Sequence, residues 1–294
     1  MAKTKLLICD LDNTLFDWIE YYVPAYYAMI DKVLAVHPTL NRNVLLKEIR
    51  EIHKELHTIE DRWAFMAAQS IQDVYRLNYT VDNIPDVVRD HTDEALEIFE
   101  MVEFHKLVLY PHVKGTLQQL TDHGIKIVIY SDAPMDCVYD RLAALGLGRH
   151  LVQVVALGRT NTVNIYEGGT QTTLTRDLRK PNVNVINYIC HFNKVDKSEV
   201  AYIGDSMTRD ILPAVKSGLK TFHAAYGAVV DSETLAKLKK ISHWDDEDVQ
   251  REQEALKEIE FTSGFHSKYT SLDRFDDILN YIGAVEDEPK AIQV

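Results

Sequence analysis

The sequence predicts an α/β fold, a parallel sheet covered by helices on both faces, with a long helical segment inserted after the first strand. Three observations carry this expectation. Five short, nearly continuous apolar runs, Leu6 to Cys9, Ile125 to Tyr130, Leu151 to Leu157, Val200 to Ile203 and Leu219 to Phe222, alternate with stretches of helical spacing, as strands buried on both faces do. In "HGIKIVIY" and "SGLKTFH" a glycine stands just before the strand, where a helix usually stops. More than a hundred residues separate the first run from the second, far beyond an ordinary crossover.

Each element follows in order. After the strand Leu6 to Cys9, the residues Trp18, Tyr22, Ala25, Met29, Val33 and Val36 recur every three or four positions, as do Leu45, Ile49, Ile52 and Leu56, which is helical periodicity. Pro24 should start or bend the first of these helices, and "VHPTL" and "DNIP" mark breaks. Residues 17–107 therefore read as one helical domain inserted in a sheet domain made of 1–16 and 108–294. "LYPHVKGTLQQLTDHG" supplies the helix before the second strand, and a helix over Ala133 to Leu145 should follow it. Residues 159–177, with β-branched residues on both sides of Gly168-Gly169, read as a hairpin. Residues 230–260, assigned to the sheet domain, are charge-rich and read as two helices capped by Asp231 and Asp245.

Composition narrows the class of function. The 294 residues are 46% hydrophobic and 26% charged, as in an ordinary globular protein. A net charge of -13, from 45 acidic against 32 basic residues, argues against a nucleic acid polymer or an anionic membrane as partner, since both would repel it. No apolar run approaches the roughly 20 residues that span a bilayer, and Leu6 to Cys9 is too short for a signal peptide, so a cytoplasmic location is expected. Cys9, Cys137 and Cys190 lie far apart, without zinc-ligand spacing, and read as buried apolar residues.

Chemistry gathers at the carboxyl ends of the predicted strands, where open parallel sheets place their ligands. Asp10, Asp12 and Thr14 follow the first strand, Ser131 follows "IKIVIY", Lys180 lies in "LRKPN", and Asp205 and Asp210 lie in "AYIGDSMTRD". Carboxylates crowded at one sheet edge repel one another unless a cation sits among them. Oxygen donors without His or Cys favour Mg²⁺, which commonly takes one or two carboxylates and a substrate phosphate oxygen. With a lysine and a serine hydroxyl at the same edge, the inventory suggests phosphoryl transfer.

These residues resemble the four motifs of the haloacid dehalogenase superfamily, in order: hhhDxDxT at Asp10, Asp12 and Thr14; Ser131; Lys180; and GDxxxxD from Gly204 to Asp210. The inserted helices resemble the C1 cap of its first subclass. The resemblance spans residues 5 to about 226 and implies a Rossmann-like three-layer core with an α-helical cap. It implies Asp10 as nucleophile forming an aspartyl phosphate, and Asp12 as general acid and then base. Mg²⁺ would be held by Asp10, the Asp12 carbonyl and Asp205, with Asp210 in support. Lys180 would balance charge on nucleophile and phosphate, while Thr14, Ser131, Asp132 and nearby backbone N–H groups would hold the turn and the phosphate. Family members that release halide lack an acid at the position of Asp12, because halide leaves without a proton.

The resemblance thus implies a Mg²⁺-dependent phosphatase acting on a small phosphorylated metabolite. A phosphomutase or phosphotransferase of the same fold, and a non-catalytic regulatory or binding protein, are the alternatives. Trp18, Tyr21, Tyr22, Tyr26, Tyr27 and Trp63 could touch substrate, but aromatics at helical spacing read first as core.

Overall fold

The computed structural model describes residues 3–158, 169–229, 231–244 and 246–282. They fall into two compact units, one within Met1–Phe16, Leu109–Val229 and Ala255–Val294, the other within Asp17–Val108 and Val230–Glu254.

The first unit is built on a parallel sheet of seven strands: β1 (Leu6–Cys9), β2 (Lys126–Pro134), β3 (Gln153–Leu157), β4 (Thr170–Leu174), β5 (Val200–Gly204), β6 (Lys220–Ala224) and β7 (Thr270–Leu272), in the spatial order 4-3-2-1-5-6-7. Strand β1 is central and wholly buried, which is why its four residues are all apolar. It pairs with β2 through Cys9 opposite Ile129 and with β5 through Cys9 opposite Ile203. The five predicted apolar runs are five of these strands.

Two strands depart from expectation. Residues 170–174, read as the second arm of a hairpin, instead pair in parallel with β3, Gln153 opposite Thr170; residues 159–168 of that reading lie outside the described residues. The threonine-rich "TQTTL" sits at the sheet edge, where burial is incomplete and the apolar signature of a central strand is not required. Strand β2 runs on to Pro134 through a register shift after Tyr130, so the helix expected from Ala133 starts only at Met135.

The second unit is helical: α1 (Trp18–Val36), α2 (Arg42–Leu56), α3 (Gln69–Tyr75) and α4 (Asp86–Lys106). Asp17 caps α1 by accepting from the Glu20 N–H at 2.8 Å, so Pro24 lies inside the helix rather than at its start. The aromatic spacing of α1 is core packing: Tyr21, Tyr22 and Tyr26 are buried, with Tyr22 stacked on Trp18 at 5.0 Å and edge-on to Phe99 of α4 at 5.6 Å.

Helices of the sheet unit include α5 (Val113–Asp122), α6 (Met135–Ala144), α7 (Val183–Phe192) and α8 (Leu212–Lys216). Val185, Ile186, Ile189 and Cys190 of α7 close one core with Leu6, Ile8, Val128, Tyr130 and Tyr202. Between β6 and β7 come α9 (Ser232–Ile241) and α10 (Asp246–Phe261), the two helices expected in 230–260. Asp231 caps α9 by accepting from the Thr234 N–H, while Asp245 lies outside the described residues. The expectation that 230–260 belongs wholly to the sheet domain is corrected, because α9 packs within the helical unit. There Tyr27 Oη donates to the Lys237 carbonyl at 3.0 Å, and His53 Nδ1 donates to that of Ile241 at 2.7 Å. Ile241 of α9 is buried there and Leu235 and Leu238 are half-buried, a partnership that the local sequence does not encode.

Candidate active site

Parallel pairing brings the first residues together. The Asp10 N–H donates to the Ile203 carbonyl at 2.9 Å, continuing the ladder between β1 and β5. Asp10 and Asp205, each one residue beyond its strand, are therefore set at the same end of neighbouring strands. After Asp12 the chain turns back sharply: Asn13 has φ +58°, and the Leu15 N–H reaches the Leu11 carbonyl at 3.0 Å. Gly227 lies so close that a Cβ there would collide with the Asn13 carbonyl. Beyond β5 the chain widens into a single π turn, Met207–Ile211, in which the Ser206 carbonyl accepts from the N–H groups of Asp210 and Ile211. Such turns recur at functional sites, and this one carries Asp210.

Lys180 joins the acidic groups. Its Nζ lies 2.5 Å from Asp10 Oδ1 and 2.7 Å from Asp210 Oδ1, and 4.8 Å from the centre of the Tyr130 ring. Every other oxygen of these two carboxylates is also engaged. Thr14 Oγ1 donates to Asp10 Oδ2 at 2.8 Å, the Ser206 N–H donates to Asp210 Oδ2 at 3.1 Å, and Tyr202 Oη shares Asp210 Oδ1 at 2.7 Å.

The charges do not balance. Burial pushes the Asp10 carboxyl up to about 7, with the negative charges of Asp210 and Asp12 adding to the rise and Lys180 opposing it. Asp205 is raised well above the usual carboxylate range, by burial first and then by Asp10 and Asp210. Burial alone would lower Lys180, but Asp10 and Asp210 outweigh it and raise its pKa. One ammonium among three carboxylates leaves an excess of negative charge in a poorly solvated place, which a bound cation relieves. Oxygens of Asp10, Asp205 and Asp210 all lie within 4.8 Å of one another. This set of hard donors fits Mg²⁺.

Around this cluster the remaining expected residues take definite places. Asp12 Oδ1 accepts from Arg141 Nη1 of α6 at 3.0 Å, and Oδ2 from Ser131 Oγ at 3.3 Å. The Asp132 carboxylate accepts from the Lys180 N–H at 2.9 Å and from Arg209 Nη2 at 3.1 Å. Asp132 spends its side-chain oxygens on Lys180 and Arg209, and a carboxylate would repel a phosphate in any case; Thr14 is fully buried and gives its hydroxyl proton to Asp10. Arg141 and Arg209 escaped the sequence reading. Arg209 lies inside "GDSMTRD" and could have been noticed, whereas no local signal separates Arg141 from a surface arginine in "YDRLAALG".

A family model for haloacid dehalogenase-like hydrolases matches residues 4–218. The phosphoglycolate phosphatase of Vibrio vulnificus (strain CMCP6) is 28% identical over 145 residues, which are 49% of this chain and 56% of that protein, so the match spans little more than half the relative's length. That of Pseudomonas fluorescens (strain Pf0-1) is 25% identical over 228 residues, 76% of this chain and 70% of the relative. Among solved structures, the 2-haloacid dehalogenase of Pseudomonas syringae pv. Tomato DC3000 superposes with a TM-score of 0.57 at 17% identity, covering 94% of this chain and 97% of that one; the likeness is one of fold. With Lys180 in contact with both Asp10 and Asp210 inside the matched stretch, the chain belongs to the haloacid dehalogenase-like hydrolases.

Proposed function

We propose that the protein is a Mg²⁺-dependent phosphomonoesterase acting on a small phosphorylated metabolite through an aspartyl phosphate on Asp10. The observation that carries this reading is the surplus of negative charge around Asp10, Asp205 and Asp210, where Lys180 is the cation in contact with Asp10 and Asp210 and the nearby Arg209 is already paired with Asp132. When bound, Mg²⁺ would screen the approach of an anionic ester to an anionic nucleophile. Asp10 and Asp205 would hold it together with the Asp12 carbonyl, while Asp210, whose oxygens are taken by Lys180, Tyr202 and the Ser206 N–H, braces the lysine.

Asp10 attacks phosphorus, and Lys180 stabilises the negative charge that the attack draws together. Thr14, donating to Oδ2, holds the nucleophile's orientation. Asp12 gives a proton to the leaving oxygen and later takes one from the hydrolytic water, a contribution of roughly 10²- to 10⁴-fold in typical cases. Ser131, already within reach of Asp12, turns its hydroxyl to a phosphate oxygen. The presence of Asp12 separates this chemistry from release of halide, which needs no proton. The helical unit is read as the cap that selects substrate. The names of the Vibrio and Pseudomonas relatives make 2-phosphoglycolate the first compound to try.

The three cysteines are all free, which fits a reducing, cytoplasmic compartment. Among the described residues no helix is long and apolar enough to cross a membrane. Release of inorganic phosphate from a panel of phosphorylated metabolites, with Mg²⁺ and with EDTA, tests the reading. Turnover that needs Mg²⁺ and disappears in Asp10→Asn supports it; a wild type that releases no phosphate from any ester overturns it.

A further inference from the structure

Asp12 is held at both carboxylate oxygens, and the two contacts differ in kind. Arg141 Nη1 meets Oδ1 at 3.0 Å, and its side chain is only 4% exposed, so the guanidinium is a buried part of the site and not a solvent-facing charge. Ser131 Oγ lies 3.3 Å from Oδ2 and itself accepts from the Ala133 N–H at 3.0 Å. A guanidinium offers donors only and stays protonated, whereas a hydroxyl can give or accept. An oxygen that faces a guanidinium donor cannot carry a hydrogen toward it. Protonation at Oδ2 therefore keeps the full acceptor strength of Oδ1 for the guanidinium, which makes Oδ2 the favoured seat of any proton that Asp12 takes up or gives. When Ser131 turns its single proton to a phosphate oxygen, Oδ2 is released while Oδ1 stays held.

We propose that Arg141 is a positioning residue for proton transfer, fixing the Asp12 carboxylate so that Oδ2 is the atom that exchanges protons with leaving group and water. This role rests on the phosphomonoesterase reading. In the first step the bond from Asp10 to phosphorus forms as the ester P–O bond breaks, and the departing oxygen takes the proton from Oδ2. In the second, water forms its bond to phosphorus as the bond from Asp10 breaks, and Oδ2 takes the water's proton. Arg141 contributes no atom to either step; it decides which oxygen is presented.

Leaving-group dependence tests the role, because an alkoxide must be protonated as it leaves and 2,4-dinitrophenolate need not be. The quantity to compare is kcat/KM, which covers the steps up to the phosphoenzyme, while the leaving group is still attached. For Arg141→Met, kcat/KM on alkyl phosphates (2-phosphoglycolate and β-glycerophosphate) should fall about 100-fold, and that on 2,4-dinitrophenyl phosphate less than about threefold. Arg141→Lys, which keeps a donor, should recover much of the alkyl loss. Each comparison is a ratio within one preparation, so an unfolded fraction cancels. Equal losses on both classes of ester, or an Arg141→Lys variant no better than Arg141→Met, overturn the role of Arg141 while leaving the phosphatase reading intact. A wild type that turns over neither class overturns both.

Discussion

Lys180 Nζ lies 2.5 Å from Asp10 Oδ1 in a site where both side chains are almost fully buried. The contact joins a residue one step past β1 to one far along the chain, and it holds the nucleophile of the proposed reaction against its counter-charge. Removing one member of a buried pair leaves the other uncompensated, at a cost of about 3–5 kcal/mol. Lys180→Met should therefore lower unfolding free energy by about that much in the absence of metal, and abolish turnover. Urea unfolding followed by circular dichroism, with and without Mg²⁺, measures it. Because the variant removes the ammonium and keeps the carboxylates, added Mg²⁺ should recover more stability in the variant than in the wild type.

Metal binding itself should be visible as stability. A ligand at about 100 times its Kd adds about 2.7 kcal/mol to the folded state. Titrating Mg²⁺ into EDTA-treated protein should raise the melting temperature by several degrees. Asp205→Asn, which removes a charge that burial and its neighbours already strain, should abolish that rise and leave the metal-free melting temperature unchanged or higher. A metal-dependent shift equal to wild type in Asp205→Asn would contradict the ligand assignment.

How far these features could be read from the chain follows from what burial does to composition. Central strands such as β1 and β5 are buried on both faces and must be apolar, so they are visible; β4, at the edge, keeps "TQTTL", and three-residue β7 is too short to carry a pattern. Asp10, Lys180 and Asp205 were visible because their chemistry is tied to strand ends in a fixed order. Arg141 was not, because it reaches Asp12 from α6 across a separation that helical periodicity says nothing about. The same limit hid the place of α9, whose partners are α1 and α2 rather than its neighbours in sequence.

Gly227 supplies a steric test of the turn after Asp12. Its α-carbon faces the Asn13 carbonyl too closely for any side chain, and Tyr226 Oη donates to the Thr14 carbonyl at 2.9 Å beside it. A methyl group at 227 must push the turn away, and the turn carries Asp12 and Thr14. Gly227→Ala should cost about 1–3 kcal/mol of stability. Misplacement of reacting groups by about 1 Å can cost about 100-fold, so activity should fall further than folding does. Thermal melts and phosphate release on the same samples separate the two losses. Gly115→Ala serves as control, since nothing lies within 4 Å of a Cβ there.

His53 links acidity to the helical unit. The ring is fully buried between α1 and α9; because a carbonyl can only accept, Nδ1 carries the proton donated to Ile241, and Nε2 faces Tyr26 Oη at 3.3 Å as acceptor. Burial lowers its pKa to about 4, against a smaller upward pull from the Ile241 carbonyl and Asp61. An unfolded chain, with histidine near 6.5, binds this proton more readily than the folded one. Stability is therefore intact above pH 6.5 and drains away as pH falls from about 6.5 toward 4, at up to about 1.4 kcal/mol per pH unit from this group. His53→Gln offers an amide with no proton to gain over that range. The difference in unfolding free energy between wild type and His53→Gln should shift in the variant's favour by about 2–3 kcal/mol between pH 7 and pH 4.5. A difference that stays constant across that interval would mean that the buried ring does not resist protonation, and that the contacts to Ile241 and Tyr26 do not depend on its neutral form.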